Sequence, residues 1–354
     1  MTLAAAVRLR TSPNPWVGCV LVAVDGSETE GATQPPGGDH AEAQALRRAR
    51  TAGVDLRGAT AFTTLEPCSH HGRTPPCADA LIEAGVGRVV VGVADPDPHV
   101  AGRGIERLRA VGIEVEVGVL AGEVEHQLAA YLHHRRTGRP WVTLKLAATL
   151  DGRTAAPDGS SRWITGAEAR TDVHRERSEH DAVLVGAGTV RADDPELTVR
   201  SDATPQAVVG PDSALEPDSA SEPDSASGPE ASVGPGRAQP LRVVLGSAPA
   251  GARVHPCLEL SGDLVHILDL LGSKGVLSVL VEGGPTVAGA FHRAGLVNRY
   301  LVYLAPALLG GHDGLPLLAG SGAPTMADLW RGRFSSVKRL GDDLRLELLP
   351  GGGG

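Results

Sequence analysis

Several things this 354-residue chain lacks narrow it before any motif is read. It has no apolar run long enough to span a bilayer as a helix. Its N-terminus does not show the charged-then-apolar order of a secretion signal. With four cysteines, Cys19, Cys68, Cys77 and Cys257, it has no disulfide framework, and cytoplasmic thiols are the expectation. Aromatic residues are only 3 %, but hydrophobic residues at 42 % permit a real core. There is no basic stripe either. The net charge is −9, and residues 201–240 alone hold seven acidic residues against Arg237, so the remainder stands near −3. Such a surface is a poor track for a nucleic-acid backbone. A Gly-x-Gly-x-x-Gly fingerprint is also missing: Gly186-Ala187-Gly188-Thr189 comes closest, but Arg191 stands in place of the third glycine. A tight turn is expected there.

What is present centres on His40-Ala41-Glu42 and on Pro67-Cys68 with Cys77. One imidazole and two thiols make a three-ligand zinc set, which leaves a fourth tetrahedral position for water, as in catalytic rather than structural sites. Zinc lowers the pKa of such a water toward neutrality. Glu42 is then free to move protons. Zinc deaminases divide the work this way, with His-x-Glu and Pro-Cys followed by a further Cys. Residues two apart do not share a helix face, so His40 and Glu42 fit one site only if it sits above the first turn of a helix. The run Ala41–Ala52, rich in Ala, Leu, Gln and Arg, suits that helix. Taken singly, His40 reads as a structural histidine and the thiols as small buried hydrophobes; together with Glu42 they read as a centre. Eight residues separate Cys68 from Cys77, against the usual two.

Length suggests two domains, 1–138 and 139–354. In the first, residues 1–10 read as a helix, Trp16–Val24 as a strand and Asp25-Gly26 as a hairpin turn. Gly58–Leu65 reads as a strand delivering Cys68, followed by strand Val86–Val93, helix Gly104–Val111 and strand Ile113–Val117. This alternation predicts an α/β domain with helices on both faces of a sheet. Gly122–Thr137 reads as one amphipathic helix whose terminal His133, His134, Arg135 and Arg136 form a solvated cationic end. In the second domain, strands are expected at Trp141–Ala147, Asp181–Val185, Leu241–Leu245, Gly275–Val281, Tyr300–Leu304 and Leu344–Leu349. A helix is expected over Thr165–Ser178, capped by Thr165. Residues 201–240, where Glu-Pro-Asp-Ser-Ala-Ser occurs at 216–221 and again at 222–227, read as a disordered insert. Glu282-Gly283-Gly284-Pro285-Thr286 leads from an apolar strand into a helix, so its amides offer a phosphate cradle, with a plain helix start as the alternative.

The zinc stretch, Thr11-Ser12-Pro13-Asn14-Pro15 before it, and Asp95-Pro96-Asp97-Pro98 with Ala101-Gly102-Arg103-Gly104 after it carry a resemblance. So do Leu144-Lys145-Leu146, Leu150-Asp151-Gly152-Arg153, Trp163-Ile164-Thr165, Ala192-Asp193-Asp194-Pro195 and Leu197-Thr198-Val199-Arg200. Over nearly the whole chain the sequence resembles the bifunctional riboflavin-biosynthesis deaminase/reductase family. The resemblance implies an N-terminal cytidine-deaminase-like three-layer domain and a C-terminal dihydrofolate-reductase-like α/β domain. It implies zinc and NADPH as cofactors, a small pyrimidine ribonucleotide as substrate, neither nucleic acid nor membrane as partner, and self-association. Ala147, Trp163, Thr189, Asp193, Ser247 and the turn Gly284, Pro285, Thr286 through Ala290 would contact NADPH. Ser161, Arg177, Leu197, Arg200 and Glu282 would contact the ribose phosphate, a task that suits the guanidinium fork. Read without the resemblance, each arginine is a surface ion pair and Trp163 is core.

Three departures qualify the match. Thr33 and Pro35 stand where the family has a histidine and a basic residue. Asp97 replaces an asparagine, and Gly246 an aspartate. The stretch from Pro256 to Leu264 is short, which predicts a lost strand at the cofactor side of the reductase sheet. Three other readings remain open: a deaminase with a C-terminal domain kept for packing, a nucleic-acid-editing deaminase, and a structural zinc module.

Overall fold

The computed structural model describes residues 1–69, 75–199 and 239–351. Arg200 and the predicted insert, apart from Gln239 and Pro240, lie outside the described residues.

The N-terminal half runs α1 (Thr2–Val7), β1 (Gly18–Val22), β2 (Glu28–Ala32), α2 (Ala41–Ala52), β3 (Thr60–Leu65), α3 (Cys77–Glu83), β4 (Arg88–Val93), α4 (Arg103–Ala110), β5 (Glu114–Val117), α5 (Ala121–Gln127) and α6 (Ala129–Thr137). Its sheet has the order β2-β1-β3-β4-β5, with β1 antiparallel to both neighbours and β3, β4 and β5 parallel. Residues 89–93 of β4 are buried without a break, which requires cover on both faces. The three-layer expectation holds. Leu21, Leu46, Leu81, Val89 and Leu108 form its core. Helix α2 lies directly on β2: a Cβ at Gly31 would sit 2.0 Å from the Ala41 carbonyl oxygen. That close approach places the N-terminus of α2 over the sheet.

The single helix expected over 122–137 is broken. Leu128 leaves helical geometry at φ −96°, ψ 12°, and beside it the Trp16 indole donates to the Gln127 carbonyl at 3.1 Å. The cationic end of α6 is not simply solvated. Arg135 pairs with Asp97 at 3.2 Å, His134 Nε2 meets the Gly272 carbonyl at 3.1 Å, and His133 stands edge-on to Trp141. The cluster ties the two halves together.

The C-terminal half comprises β6 (Trp141–Thr149), β7 (Arg153–Ala155), α7 (Ala167–Ser178), β8 (Ala182–Gly186), α8 (Ala187–Asp193), β9 (Leu241–Leu245), β10 (Leu258–Leu260), α9 (Leu264–Ser273), β11 (Ser278–Val281), α10 (Pro285–Arg293), β12 (Arg299–Ala305), β13 (Leu315–Pro316), β14 (Gly332–Leu340) and β15 (Asp343–Pro350). Eight strands form the order β10-β9-β8-β11-β6-β12-β15-β14; β10 through β12 are parallel, and β15 and β14 close the sheet antiparallel. The chain walks outward from β8 to β10 and then returns β11 between β8 and β6. That reversal opens a crevice beyond the carboxyl ends of β8 and β11, the usual place for a ligand in an open α/β sheet.

Three sequence expectations change here. The short 256–264 stretch still supplies a strand, β10, paired in parallel with β9, and Asp263 caps α9 by accepting from Val265 and His266. Thr165 is not the cap of α7. Gly166 holds that position, its amide donating to Asp343 Oδ2 of β15 at 2.7 Å, while Arg170 holds the Thr165 carbonyl. Gly186 to Thr189 is the start of α8 rather than a free turn.

Candidate active sites

His40 takes the extended N-cap position of α2, with φ −71° and ψ 165°, and Glu42 lies in the first turn. Cys68 follows β3, and Cys77 is the first residue of α3. His40 Nδ1 is 3.5 Å from Cys68 Sγ and 3.4 Å from Cys77 Sγ. A tetrahedral zinc with Zn–N of ~2.05 Å and Zn–S of ~2.3 Å would separate neighbouring N and S ligands by about 3.5 Å. The donor set and its spacing therefore fit zinc. The long Cys68–Cys77 interval does not spread the ligands, because α3 returns Cys77 to the end of β3.

Electrostatics sort the roles. Glu42 is 3 % exposed, and burial, reinforced by the Cys68 charge, pushes its carboxyl up to about 7. A carboxyl poised there exchanges protons readily at neutral pH. Cys68 is drawn down to about 4 by the Cys77 thiol, His40 and the Cys77 amide, which donates to Cys68 Sγ at 3.3 Å from the first turn of α3. The Cys77 thiol is raised, first by that same contact and then by burial. Cys19 is a fully buried thiol of β1.

One buried carboxylate beside the ligand segment escaped the sequence reading. Glu66, 4 % exposed and two residues before Cys68, accepts four backbone N–H bonds: from Asp95 (3.1 Å), Gly102 (3.0 Å), Gly104 (2.9 Å) and Ile105 (3.3 Å). It clamps the N-terminus of α4 against the ligand-bearing segment. The contact is tight enough that a Cβ at Gly104 would stand 2.0 Å from the Pro67 carbonyl oxygen. The available signal was a lone acid directly after an uncharged strand and directly before Pro67-Cys68. The departures also find physical explanations. Thr33 is buried and accepts the Val17 amide at 3.0 Å. Asp97 is balanced by Arg135 and accepts the His99 amide.

In the second half, a cavity of about 1040 Å³ opens at the predicted crevice. Ala147, Ser161, Trp163, Arg177, Thr189, Asp193, Leu197, Glu282, Gly284, Pro285 and Thr286 all line it. Ser247 does not, and Arg200 is outside the described residues. Trp163 is no core residue: it is 70 % exposed, with the Arg170 guanidinium 4.4 Å from its ring centroid. Leu197 has the left-handed φ of 54° and buries its side chain. Arg177 is not free either. Its fork grips Glu282 through Nε–Oε1 at 2.6 Å and Nη2–Oε2 at 3.0 Å, beneath the cavity. Burial works to raise the Glu282 carboxyl, but Arg177 and Lys145 outweigh it and hold it below its ordinary value. Burial lowers Lys145. Helix α10 opens with Pro285 at its first turn and no side-chain cap, while the Gly284 amide donates to Thr189 Oγ1 at 3.1 Å. First-turn amides of α10 are thus left to face a ligand.

Comparison with known proteins agrees with both halves. Residues 1–93 match the family described as the cytidine and deoxycytidylate deaminase zinc-binding region, and residues 140–346 match the RibD C-terminal domain. A zinc-dependent deaminase and an NADPH-using reductase on one chain define the class: a bifunctional enzyme, hydrolase and oxidoreductase together. The riboflavin biosynthesis protein RibD of Escherichia coli K12 is 40 % identical over 99 % of this chain and 97 % of that protein. Its counterpart in Mycobacterium tuberculosis is 44 % identical over 97 % and 93 %. The solved structure of Acinetobacter baumannii RibD superposes with a TM-score of 0.84 at 36 % identity, covering 99 % of this chain and 96 % of that one. A Thermotoga maritima diaminohydroxyphosphoribosylaminopyrimidine deaminase/5-amino-6-(5-phosphoribosylamino)uracil reductase gives 0.81 at 34 %, covering 99 % and 96 %. The chain belongs to the RibD family of riboflavin biosynthesis. No helix among the described residues is long and apolar enough to cross a membrane.

Proposed function

We propose that the chain deaminates 2,5-diamino-6-(5-phosphoribosylamino)pyrimidin-4-one and then reduces the ribosyl chain of the product to ribityl. The observation that carries this reading is the triad His40, Cys68 and Cys77 with buried Glu42 beside it. Bound zinc supplies a water activated near neutral pH. His40, Cys68 and Cys77 hold the metal. Glu42 would take one proton of the attacking water and give it to the ring nitrogen, then take the remaining hydroxyl proton and give it to the departing amine, so that a C–O bond replaces the C–N bond and ammonia leaves. Glu66 keeps the ligand segment in register.

In the second domain NADPH supplies the hydride. Ala147, Trp163, Thr189, Asp193 and the turn Gly284-Pro285-Thr286 hold the cofactor, while Ser247 lies outside the cavity lining. Ser161, Leu197, Arg200, Arg177 and Glu282 hold the ribose phosphate. The Arg177–Glu282 pair fixes the cavity floor, and the free first-turn amides of α10 receive phosphate. We place the domains at 1–138 and 139–354, on the ground that α6 ends at Thr137 and β6 begins at Trp141. We further read the protein as a cytoplasmic homo-oligomer that engages neither nucleic acid nor membrane, in keeping with its acidic balance. The test is to incubate the purified chain with the aminopyrimidine ribose phosphate, with and without NADPH, and follow products by mass spectrometry. Deamination alone without NADPH, and deamination plus reduction with it, are expected. No mass change in either arm would overturn the reading.

A further inference from the structure

A second group of metal-ligating side chains stands apart from both sites, on the edge of the reductase sheet. His255, Cys257 and Glu259 alternate where the chain enters β10, and their ligand atoms all lie within 4.8 Å of one another. His255 Nδ1 is 3.5 Å from Cys257 Sγ, the same separation as between His40 and Cys68. Two of the three donors are already oriented from behind. His255 Nε2 lies 3.0 Å from the Pro249 carbonyl oxygen, which can only accept. The ring proton therefore sits on Nε2, and the Nδ1 lone pair is the one presented to Cys257. Glu259 Oε1 accepts the Ala248 amide at 3.0 Å, which pins the carboxylate and leaves Oε2 available. Backbone contacts of this kind set the tautomer and direction of metal ligands. The mechanism uses none of these residues.

We propose that His255, Cys257 and Glu259 form a second zinc site. Imidazole, thiolate and carboxylate together suit zinc and do not suit magnesium or calcium, which take oxygen ligands. The ion would tie the Ala248–Pro249 loop to β10. That edge strand is only three residues long, and a parallel edge so short has few ladder bonds to hold it. A metal bridge would supply the hold that so short a strand lacks.

The experiment is zinc stoichiometry on the full chain, equilibrated with Zn2+, desalted and measured by elemental mass spectrometry. Two zinc ions per chain are expected in the native protein and one in Cys257→Ser, with deaminase turnover unchanged. With Co2+ in place of zinc, the thiolate-to-metal absorption should fall in Cys257→Ser from the intensity of three thiolates to that of two. Glu259→Gln keeps an oxygen for the Ala248 amide and should weaken only the second site, by about tenfold or more. If Cys257→Ser does not fold, Glu259→Gln decides alone. One zinc per chain in the native protein, or two retained at unchanged affinity in the variants, would overturn the proposal.

Discussion

Replacing Glu66 isolates the part of the deaminase site that holds the ligands rather than binding metal. In Glu66→Ala, the amides of Asp95, Gly102, Gly104 and Ile105 all lose their acceptor. A buried donor left unpaired costs about 1–3 kcal/mol. Water can enter the space vacated by the side chain and satisfy part of the loss, so the low end applies, and the four bonds together imply about 4 kcal/mol. Glu66→Gln is the more informative change. Its amide keeps one oxygen for two of the donors and turns an NH2 toward the other two, so roughly half of that loss, about 2 kcal/mol, should remain. The N-terminus of α4 then withdraws from Pro67, and Cys68 loses its fixed distance to His40. Denaturant unfolding of the deaminase half, zinc retention against a competing chelator, and turnover of both activities make the assay. Expected are a lower midpoint, weaker zinc and a deaminase kcat that falls by tenfold or more. Reduction of separately supplied deaminated substrate should be unchanged. Normal zinc retention and deaminase kcat in Glu66→Gln would refute the clamp.

Glu42→Gln should keep zinc and lose deamination by about 10²–10⁴-fold, since general acid–base work contributes that much; unchanged turnover would remove Glu42 from the mechanism. Arg177→Lys cannot reproduce the two-pronged grip on Glu282. Reductase kcat/KM should drop by about tenfold or more with deamination intact, read by NADPH consumption on the deaminated substrate, and an unaltered kcat/KM would count against the pair. Glu176 gives a pH prediction. Burial raises its carboxyl, but Arg299, His180, Arg345 and Arg175 outweigh that and hold it at about 2. Its folded value lies below the unfolded one, so the stabilisation is present above about pH 4.5 and is lost as pH falls toward 2; the swing is on the order of 3 kcal/mol. Thermal unfolding of Glu176→Gln should show a flatter acid limb across that window. An acid limb parallel to that of the native chain would show that the carboxylate is not the source.

How much of this could be seen in the chain follows from how far each signal reaches. Helix α2 is composed of strong helix formers, so its bounds, Ala41–Ala52, appeared residue for residue, and with them the placing of His40 and Glu42 at one end. The buried parallel strands β4, β8 and β11 have apolar centres and were legible as strands, though their bounds differ by up to three residues. Strand β2, Glu28–Ala32, was announced only by the Asp25-Gly26 hairpin turn, because its outer face is polar and its inner face depends on Gly31, whose lack of a side chain is what admits α2. The rest turns on partners far along the chain. Gly166 at the start of α7 is held by Asp343, Gln127 at the α5–α6 break by Trp16, and the fork of Arg177 closes on Glu282. Glu66 belongs with these, since its four donors lie 29–39 residues downstream. Composition and periodicity carry information over a turn or a strand. A carboxylate that must find four amides becomes readable only once the parallel pairing of β3 with β4 sets the end of one strand beside the exit of the next. The chemistry of the deaminase centre was therefore local and legible, whereas the rigidity that makes the centre work is a property of the sheet.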